Sequence, residues 1–273
     1  MSESPRILVF DSGAGGLTIG KEILLRLPPT RIIFASDKTY FPYGDKPESE
    51  LLSRLCEQLE KLLSIHQPDI LIVACNTAST IALEALRTRF SIPIVGVVPA
   101  IKPAARLSKS KVIGLLATPA TSNRRYTHKL IEDFAQDCSV IIHGSRHLVS
   151  LAERRILGEA INQTLLQQEL ATLFGMPKGE QIDTVVLACT HFPILRDDLD
   201  EACKLQARTI HWVDSGQAIA KRTADLLGIT YQDTPVFAHD RLATPPIFTD
   251  CNDELDLTQF SKAALDYLAK PPA

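Results

Sequence analysis

The chain has 273 residues, enough for one large domain or two of moderate size. It is 45% hydrophobic and 22% charged with a net charge of −3, which gives no electrostatic reason to expect nucleic acid or an anionic membrane surface. No apolar run is long enough to cross a bilayer and no signal segment follows Met1, so we expect a cytoplasmic protein. Six scattered cysteines without a Cys-x-x-Cys pair indicate reduced thiols.

Short apolar runs alternate with longer amphipathic ones along the chain, which is typical of right-handed βαβ units. We therefore expect an α/β fold with mainly parallel sheets. The predicted strands are Ile7–Phe10, Ile32–Ala35, Ile70–Ala74, Ile94–Val97, Val112–Leu116, Val140–Ile142, Val185–Ala188 and Ile210–Val213. Two helical stripes stand out between them, one formed by Leu52, Leu55, Leu59, Leu62 and Leu63, the other by Ile161, Leu165, Leu170 and Leu173.

Two segments of the chain echo each other. Residues 69–77 read Asp-Ile-Leu-Ile-Val-Ala-Cys-Asn-Thr, and residues 183–191 read Asp-Thr-Val-Val-Leu-Ala-Cys-Thr-His. A fainter echo, offset by a similar distance, links residues 6–12 with residues 111–118. The sequence therefore predicts two related α/β halves, which contribute the carboxyl ends of their strands to one cleft.

Cys75 and Cys189 each follow a predicted buried strand and precede a predicted helix N-terminus, with Asn76 or Thr77 and Thr190 as candidate caps. Such a position favours thiolate over thiol. A lone cysteine there is more often a small buried hydrophobe, but the matching contexts favour an acid–base group on each face of one ligand. The other cysteines lie beside a helical stripe, at the start of a strand or in polar surroundings, and we expect structural roles for them: Cys56, Cys138, Cys203 and Cys251.

Asp11 follows the first predicted strand and opens the glycine-rich segment at residues 11–16. The segment is either a turn with a capping aspartate or a strand-end carboxylate beside backbone N–H groups that bind an anion. A nucleotide-binding loop is disfavoured. Glu22 follows Lys21 where a Walker loop has Ser or Thr, and Thr18 stands where a dinucleotide fingerprint has its third glycine.

His191 lies two residues after Cys189 and is either a structural hydrogen-bonder or a proton-transfer group. A zinc site built from both cysteines and His191 would lack the usual close-spaced ligand pair, so we expect no metal. The aromatic loop at residues 40–44 is either a surface turn or a wall of the site whose backbone N–H groups hold a carboxylate.

In this order, these segments resemble the glutamate racemases, within the aspartate/glutamate racemase family. The resemblance spans nearly the whole chain and implies two pseudo-symmetric, three-layer α/β domains with the active site in the cleft between them. It implies a first domain of residues 1–97 plus 211–273 and a second of residues 98–210. The matching segments are residues 10–17, 41–44 and 74–79, Thr118 with Thr121, Glu153, and residues 187–193.

The resemblance implies a two-base racemisation of glutamate without cofactor or metal, which supplies D-glutamate for peptidoglycan. Cys75 would deprotonate D-glutamate and Cys189 L-glutamate, assisted by Asp11 and His191 respectively. The residues implied to contact the substrate are Asp11, Ser12, Tyr43, Gly44, Asn76, Thr77, Thr118, Thr121, Glu153, Thr190 and His191. A homodimer is compatible with the sequence, which leaves the oligomeric state open.

Ser145-Arg146 departs from the resemblance, because Cys-Pro is usual there, and this affects the alignment of Glu153. Three alternative functions stay open. An aspartate racemase would share the chemistry with a shorter substrate. A hydrolase with one cysteine nucleophile and His191 as base would leave the second cysteine without a role. A two-lobed binding protein would need no paired thiols.

Overall fold

The structure, a computed structural model, describes residues 4–236, 245–252 and 256–271. These residues form two compact units, one made of residues 4–97 and 216–271 and the other of residues Val98–Ser215. The predicted return to the first half at residue 211 differs from this division, because His211–Val213 pairs with the second sheet and the return begins at Gly216.

The helices and strands alternate as follows. The strands of the described residues are β1 (Arg6–Asp11), β2 (Arg31–Ser36), β3 (Ile70–Val73), β4 (Ile94–Gly96), β5 (Val112–Ala117), β6 (Ser139–Gly144), β7 (Thr184–Leu187), β8 (His211–Val213) and β9 (Ile247–Asp250). The α-helices are α1 (Gly16–Arg26), α2 (Glu48–His66), α3 (Asn76–Arg89), α4 (Ile101–Leu107), α5 (Pro119–Ser122), α6 (Arg125–Phe134), α7 (His147–Ile156), α8 (Gln163–Gly175), α9 (Arg196–Lys204), α10 (Gly216–Leu227) and α11 (Thr258–Leu268).

Each unit is built on one sheet. The first contains five strands in the order β4-β3-β1-β2-β9, and the second four in the order β6-β5-β7-β8. Every pairing between the described strands is parallel. Ile70–Val73 has only branched apolar side chains and is buried throughout, as expected of a parallel strand covered on both faces. The predicted α/β fold with mainly parallel sheets is confirmed.

The two sheets repeat one strand order. When β5, β6, β7 and β8 are matched to β1, β2, β3 and β4, all neighbours correspond, and β9 is an extra edge strand of the first sheet. The hydrogen bonds correspond as well: the Ala74 amide donates to the carbonyl of Phe10 over 2.7 Å, and the Ala188 amide to that of Leu116 over 2.8 Å. The internal echo is therefore a repeat of topology, and each repeated cysteine follows this shared connection by one residue.

The aspartates that open the two echoing segments hold the start of the neighbouring strand. Asp69 accepts the Arg6 amide over 2.7 Å. Asp183 accepts the Lys109 and Ser110 amides, each over 2.8 Å, and the Ser108 hydroxyl over 2.7 Å. Burial acts to raise the pKa of Asp183, but these hydrogen bonds outweigh it and bring the pKa to about 2. Both copies of the repeat are thus anchored at the amino ends of their strands.

All the predicted strands occur, and no strand end is shifted by more than two residues. The strand Ile247–Asp250 was not predicted, because it is short and carries two polar residues. The second helical stripe is partly wrong: Ile161 precedes α8 and Leu165 is only half-buried, whereas the buried face includes Glu169. No helix among the described residues has the length and apolar character needed to cross a bilayer.

Candidate active site

Cys75 is held at the carboxyl end of β3. Its backbone is extended and its carbonyl accepts the Ser79 amide over 2.9 Å, so Cys75 is itself the N-cap residue of α3. The predicted caps, Asn76 and Thr77, are instead the first two residues of the helix. The thiol lies at a helix N-terminus, as predicted, and the residue is 7% exposed. A helix N-terminus stabilises negative charge, which favours the thiolate form.

Asp11 and Ser12 lie beside Cys75 because β1 and β3 are neighbours in the sheet. Asp11 is the last residue of β1, is buried, and accepts the Gly13 amide over 3.0 Å. The Ser12 hydroxyl lies 3.5 Å from Asp11 Oδ1 and 3.8 Å from Cys75 Sγ. Ser12, predicted only as a substrate contact, therefore links the thiol to the carboxylate.

Gly16 allows the first turn of α1 to approach this strand end closely. A Cβ atom at Gly16 would lie 3.1 Å from the Cβ of Asp11 and 3.4 Å from Val9 Cγ1, tighter than ordinary packing. The absent side chain at Gly16 therefore determines where Asp11 can sit. Gly16 of the glycine-rich segment therefore serves close packing.

Asn76 and Thr77 are buried beside the thiol. In the part of the chain that the structure describes, Asn76 Oδ1 is buried without a hydrogen-bond partner. A buried amide oxygen left unpaired costs free energy, so it is an acceptor suited to an N–H group of a ligand. An unpaired acceptor at this position agrees with the predicted contact between Asn76 and the substrate. That contact stays a prediction.

The Tyr43 side chain has a structural partner. Its phenol is buried and donates to Asp37 Oδ2 over 2.7 Å, and the Arg54 guanidinium binds the two oxygens of Asp37 over 2.6 Å each. Burial, followed by the Asp37 charge, raises the pKa of Tyr43. Because the Tyr43 phenol already donates its proton to Asp37, any contact between the loop that includes Gly44 and a ligand must come from backbone groups. Asp37, which follows β2 as Asp11 ends β1, is a signal that the sequence interpretation missed.

Cys189 lies at the equivalent strand end of the second unit but in a different local structure. Thr190 and His191 form a turn, residues Phe192–Leu195 form a short 3₁₀ helix, and α9 begins only at Arg196. The predicted helix N-terminus next to Cys189 is therefore wrong, since Pro193 and the turn delay the helix. Cys189 is 7% exposed, the same fraction as Cys75.

His191 takes the place of a helix dipole as the charge partner of Cys189. Its Nδ1 lies 3.8 Å from Cys189 Sγ and its Nε2 2.7 Å from Glu153 Oε1. Burial acts to lower the pKa of His191, but the interactions with Cys189 and Glu153 outweigh it and raise the pKa well above its ordinary value. A protonated imidazole favours the thiolate form of a neighbouring cysteine. Glu153, whose alignment the Ser145-Arg146 departure affected, thus lies directly behind His191.

The threonines of the second unit are buried near the end of β5, next to β7 in the sheet. Thr118 is the N-cap of α5: its hydroxyl accepts the Thr121 amide over 3.2 Å and lies 3.1 Å from the Thr121 hydroxyl. Thr190 is buried in the turn after Cys189. Capping accounts for the positions of Thr118 and Thr121, and their contact with substrate remains a prediction.

Comparison with known proteins assigns this chain to a family. The sequence model of the Asp/Glu/hydantoin racemase family matches residues 26–223, most of the chain. The chain belongs to this racemase family. Glutamate racemase of Pectobacterium carotovorum is 47% identical over 91% of this chain and 81% of its own length. That of Salmonella typhimurium is 48% identical over 82% of this chain and 77% of its own length.

Solved structures of racemases agree with the fold. A crystal structure of Escherichia coli glutamate racemase, in complex with L-glutamate and the activator UDP-MurNAc-Ala, has a TM-score of 0.81 at 41% identity, covering 97% of this chain and 94% of its own. Glutamate racemase isoform RacE1 of Bacillus anthracis has a TM-score of 0.73 at 26% identity, covering 99% and 96%. The resemblance read from the motifs is confirmed.

Three of the remaining cysteines of this racemase pack against or inside the cores of the two units. Cys56 and Cys251 pack against the core of the first unit, and Cys203 is fully buried in α9. The polar surroundings expected for Cys203 and Cys251 are wrong, because both face the interior of their units. Burial raises the pKa of Cys203 to about 11 and also raises that of Cys251. Such thiols stay protonated at neutral pH.

Proposed function

We propose that the chain interconverts L- and D-glutamate without a cofactor, with Cys75 and Cys189 as the two bases. One observation carries the proposal. In both units a buried cysteine follows the equivalent strand of the repeated sheet, and a polar side chain links this cysteine to a carboxylate. The two sets are Cys75–Ser12–Asp11 and Cys189–His191–Glu153. A racemase needs acid–base groups on both faces of Cα, and this repetition supplies one from each unit.

The chemistry follows from the weak acidity of the Cα proton. One thiolate removes the proton from Cα, the electron pair passes into the carboxylate as an enolate-like anion, and the opposite thiol donates its proton to the other face. The two cysteines exchange protonation states in each turnover. Preorganised hydrogen-bond donors must stabilise the anion, and we assign this to Ser12, Asn76, Thr77 and Thr190 with the loop N–H groups.

Glutamate is favoured over aspartate as substrate because the relatives at 47–48% identity bear the name glutamate racemase. We propose that the product D-glutamate supplies peptidoglycan synthesis in the cytoplasm. The activator bound to the Escherichia coli relative, UDP-MurNAc-Ala, is a candidate effector for this chain and can be added to the same assay. The oligomeric state stays open, with a homodimer compatible with the sequence.

Circular dichroism of the purified protein with either glutamate enantiomer tests the proposal. The signal should decay to zero from both sides without added pyridoxal phosphate, and dialysis against EDTA should leave the rate unchanged. Faster decay with aspartate would reassign the substrate. A stable signal with both amino acids would overturn the proposed function and return the hydrolase and the binding protein to consideration.

A further inference from the structure

A second cluster of ionisable groups lies in the second unit, outside the residues assigned to chemistry. Glu169 on α8 is 8% exposed, and each of its carboxylate oxygens lies 2.6 Å from one imidazole nitrogen, Nε2 of His143 and Nδ1 of His147. The Ser145 hydroxyl also hydrogen-bonds to this carboxylate. Strand β6, the connection after it and helices α7 and α8 therefore converge on one side chain.

Glu169 stays ionised in this buried place. Burial acts to raise the pKa of Glu169, but the hydrogen bonds from His143, His147 and Ser145 outweigh it and lower the pKa to about 2. Its neighbours on the same face of α8 are buried and apolar, among them Leu170. An apolar residue would meet the needs of packing there, so a carboxylate indicates a need for its hydrogen bonds.

These hydrogen bonds join Glu169 to the start of α7. His147 is the first residue of α7, and the Ser145 hydroxyl accepts the amide of Leu148 over 3.1 Å. The cap residue Arg146 makes no side-chain capping hydrogen bond to the helix. Ser145 and His147, at the start of α7, are therefore both bound to Glu169.

The same helix carries Glu153, six residues after His147. Helix α7 packs against the short 3₁₀ helix Phe192–Leu195 that follows His191. Near its other end, Arg155 pairs with Asp198 of α9 over 3.1 Å. The Glu153–His191 hydrogen bond is 2.7 Å long, and a displacement of α7 by about 1 Å would stretch it beyond hydrogen-bond range.

We propose that Glu169 is a positioning residue for the second base: by holding the start of α7, it keeps Glu153 on His191 and His191 on Cys189. This inference rests on the proposed function. Glu169 acts through α7 and assists only the proton transfers to and from Cys189. The Cys75 side lies in the other unit and has its own carboxylate.

Primary isotope effects distinguish this role from general structural support. L- and D-glutamate have equal free energies, so kcat/KM must fall equally in both directions for any variant. If proton transfer at Cys189 becomes slower, the isotope effect on kcat/KM rises with α-deuterated L-glutamate and falls with the α-deuterated D enantiomer. A loss of general stability or of active molecules changes neither isotope effect.

The test variant is Glu169→Gln, which keeps the size of the side chain and removes its charge. We expect kcat/KM to fall about tenfold, with isotope effects that shift in opposite directions for the two enantiomers. The control is Glu159→Gln, which breaks an exposed ion pair with Arg154 of the same helix and should match the parent. A Glu169→Gln protein with parent-like kcat/KM, or with unshifted isotope effects, overturns the inference.

His147→Ala keeps the inference testable if Glu169→Gln fails to fold. The His147 side chain is 63% exposed, so its removal leaves the core intact while taking away one of the bonds to Glu169. We expect a two- to threefold fall in kcat/KM with the same opposed isotope shifts. Unshifted isotope effects in this variant overturn the inference. Failure of the proposed function is distinct, because the parent protein would then not racemise glutamate.

Discussion

The two thiol sites share a scaffold and differ in their assisting groups. In each unit the cysteine follows a buried strand whose end is hydrogen-bonded to the equivalent neighbouring strand, β1 in the first unit and β5 in the second. Beside Cys75 are a serine hydroxyl and a helix N-terminus, whereas beside Cys189 are a buried imidazole and no adjacent helix N-terminus. The repeated topology thus fixes the position of the thiol, and the loop after the strand sets its electrostatics.

The difference lies in how each site favours negative charge on sulfur. At Cys75 the stabilising groups are backbone dipoles and a hydroxyl, which do not change charge with pH. At Cys189 the stabilising group is His191, which carries a full charge when protonated and is itself held by Glu153. We therefore expect variants on the two sides to respond differently to pH and to isotopic substitution.

Removal of either thiol should have the largest effect. Cys75→Ala and Cys189→Ala should each lower kcat/KM by at least about 10³-fold, because each direction of the reaction needs both a base and an acid. Cys56→Ala, at a half-buried cysteine of the first unit, is the matched control and should keep parent-like turnover. Circular dichroism assays of folded proteins check this. Substantial activity in either catalytic variant would contradict the two-base assignment.

Glu153→Gln should have the next largest effect. We expect kcat/KM to fall about 10- to 100-fold, because the charge that holds His191 in its protonated form is lost. The pKa of His191 should fall as well, which nitrogen-15 NMR of labelled imidazole can measure. An unchanged His191 titration would show that Glu153 does not support this histidine.

Ser12→Ala should have a smaller effect on the other side. The hydroxyl 3.8 Å from Cys75 would be lost, while Asp11 keeps its bond to the Gly13 amide, so we expect a fall in kcat/KM of about five- to tenfold. The isotope shifts should be opposite in sign to those of Glu153→Gln. The control Ser108→Ala also breaks a serine–aspartate hydrogen bond, but at the amino ends of the strands, and should affect stability alone. Isotope-effect shifts of the same sign in the Ser12 and Glu153 variants would contradict the assignment of the two thiols to opposite faces of Cα.

The pH dependence of stability should show the smallest effect. The pKa of His191 is raised on folding above its unfolded value of about 6.5, so its stabilising contribution is complete below that pH. The contribution is lost as the pH rises through the folded pKa. Urea unfolding of the parent and His191→Asn should therefore differ most at pH 6 or below and converge at higher pH. A difference that grows with pH would contradict the protonated state of His191.

The sequence predicted eight of the nine described strands and the cysteine pair, because both are local patterns. A buried parallel strand is a short apolar run, and the repetition of Asp69 and Cys75 in Asp183 and Cys189 can be read directly. The bond between Glu153 and His191 could not be derived from spacing, because it joins residues 38 positions apart through the packing of α7. Glu169 could not be identified from the sequence for the same reason. In the sequence it resembles any polar residue of a helix, and its contacts with His143 and His147 form only when the chain folds.

Racemisation in deuterium oxide, with enzyme equilibrated beforehand in the same solvent, tests the two-base claim most directly. Product and remaining substrate are separated by chirality at early times, and their masses are measured for each starting enantiomer. If Cys75 and Cys189 serve opposite faces, the product carries deuterium at Cα while the recovered substrate keeps its hydrogen. A product that retains most of the original hydrogen, from either enantiomer, would mean that a single base carries the proton between faces and would contradict the assignment.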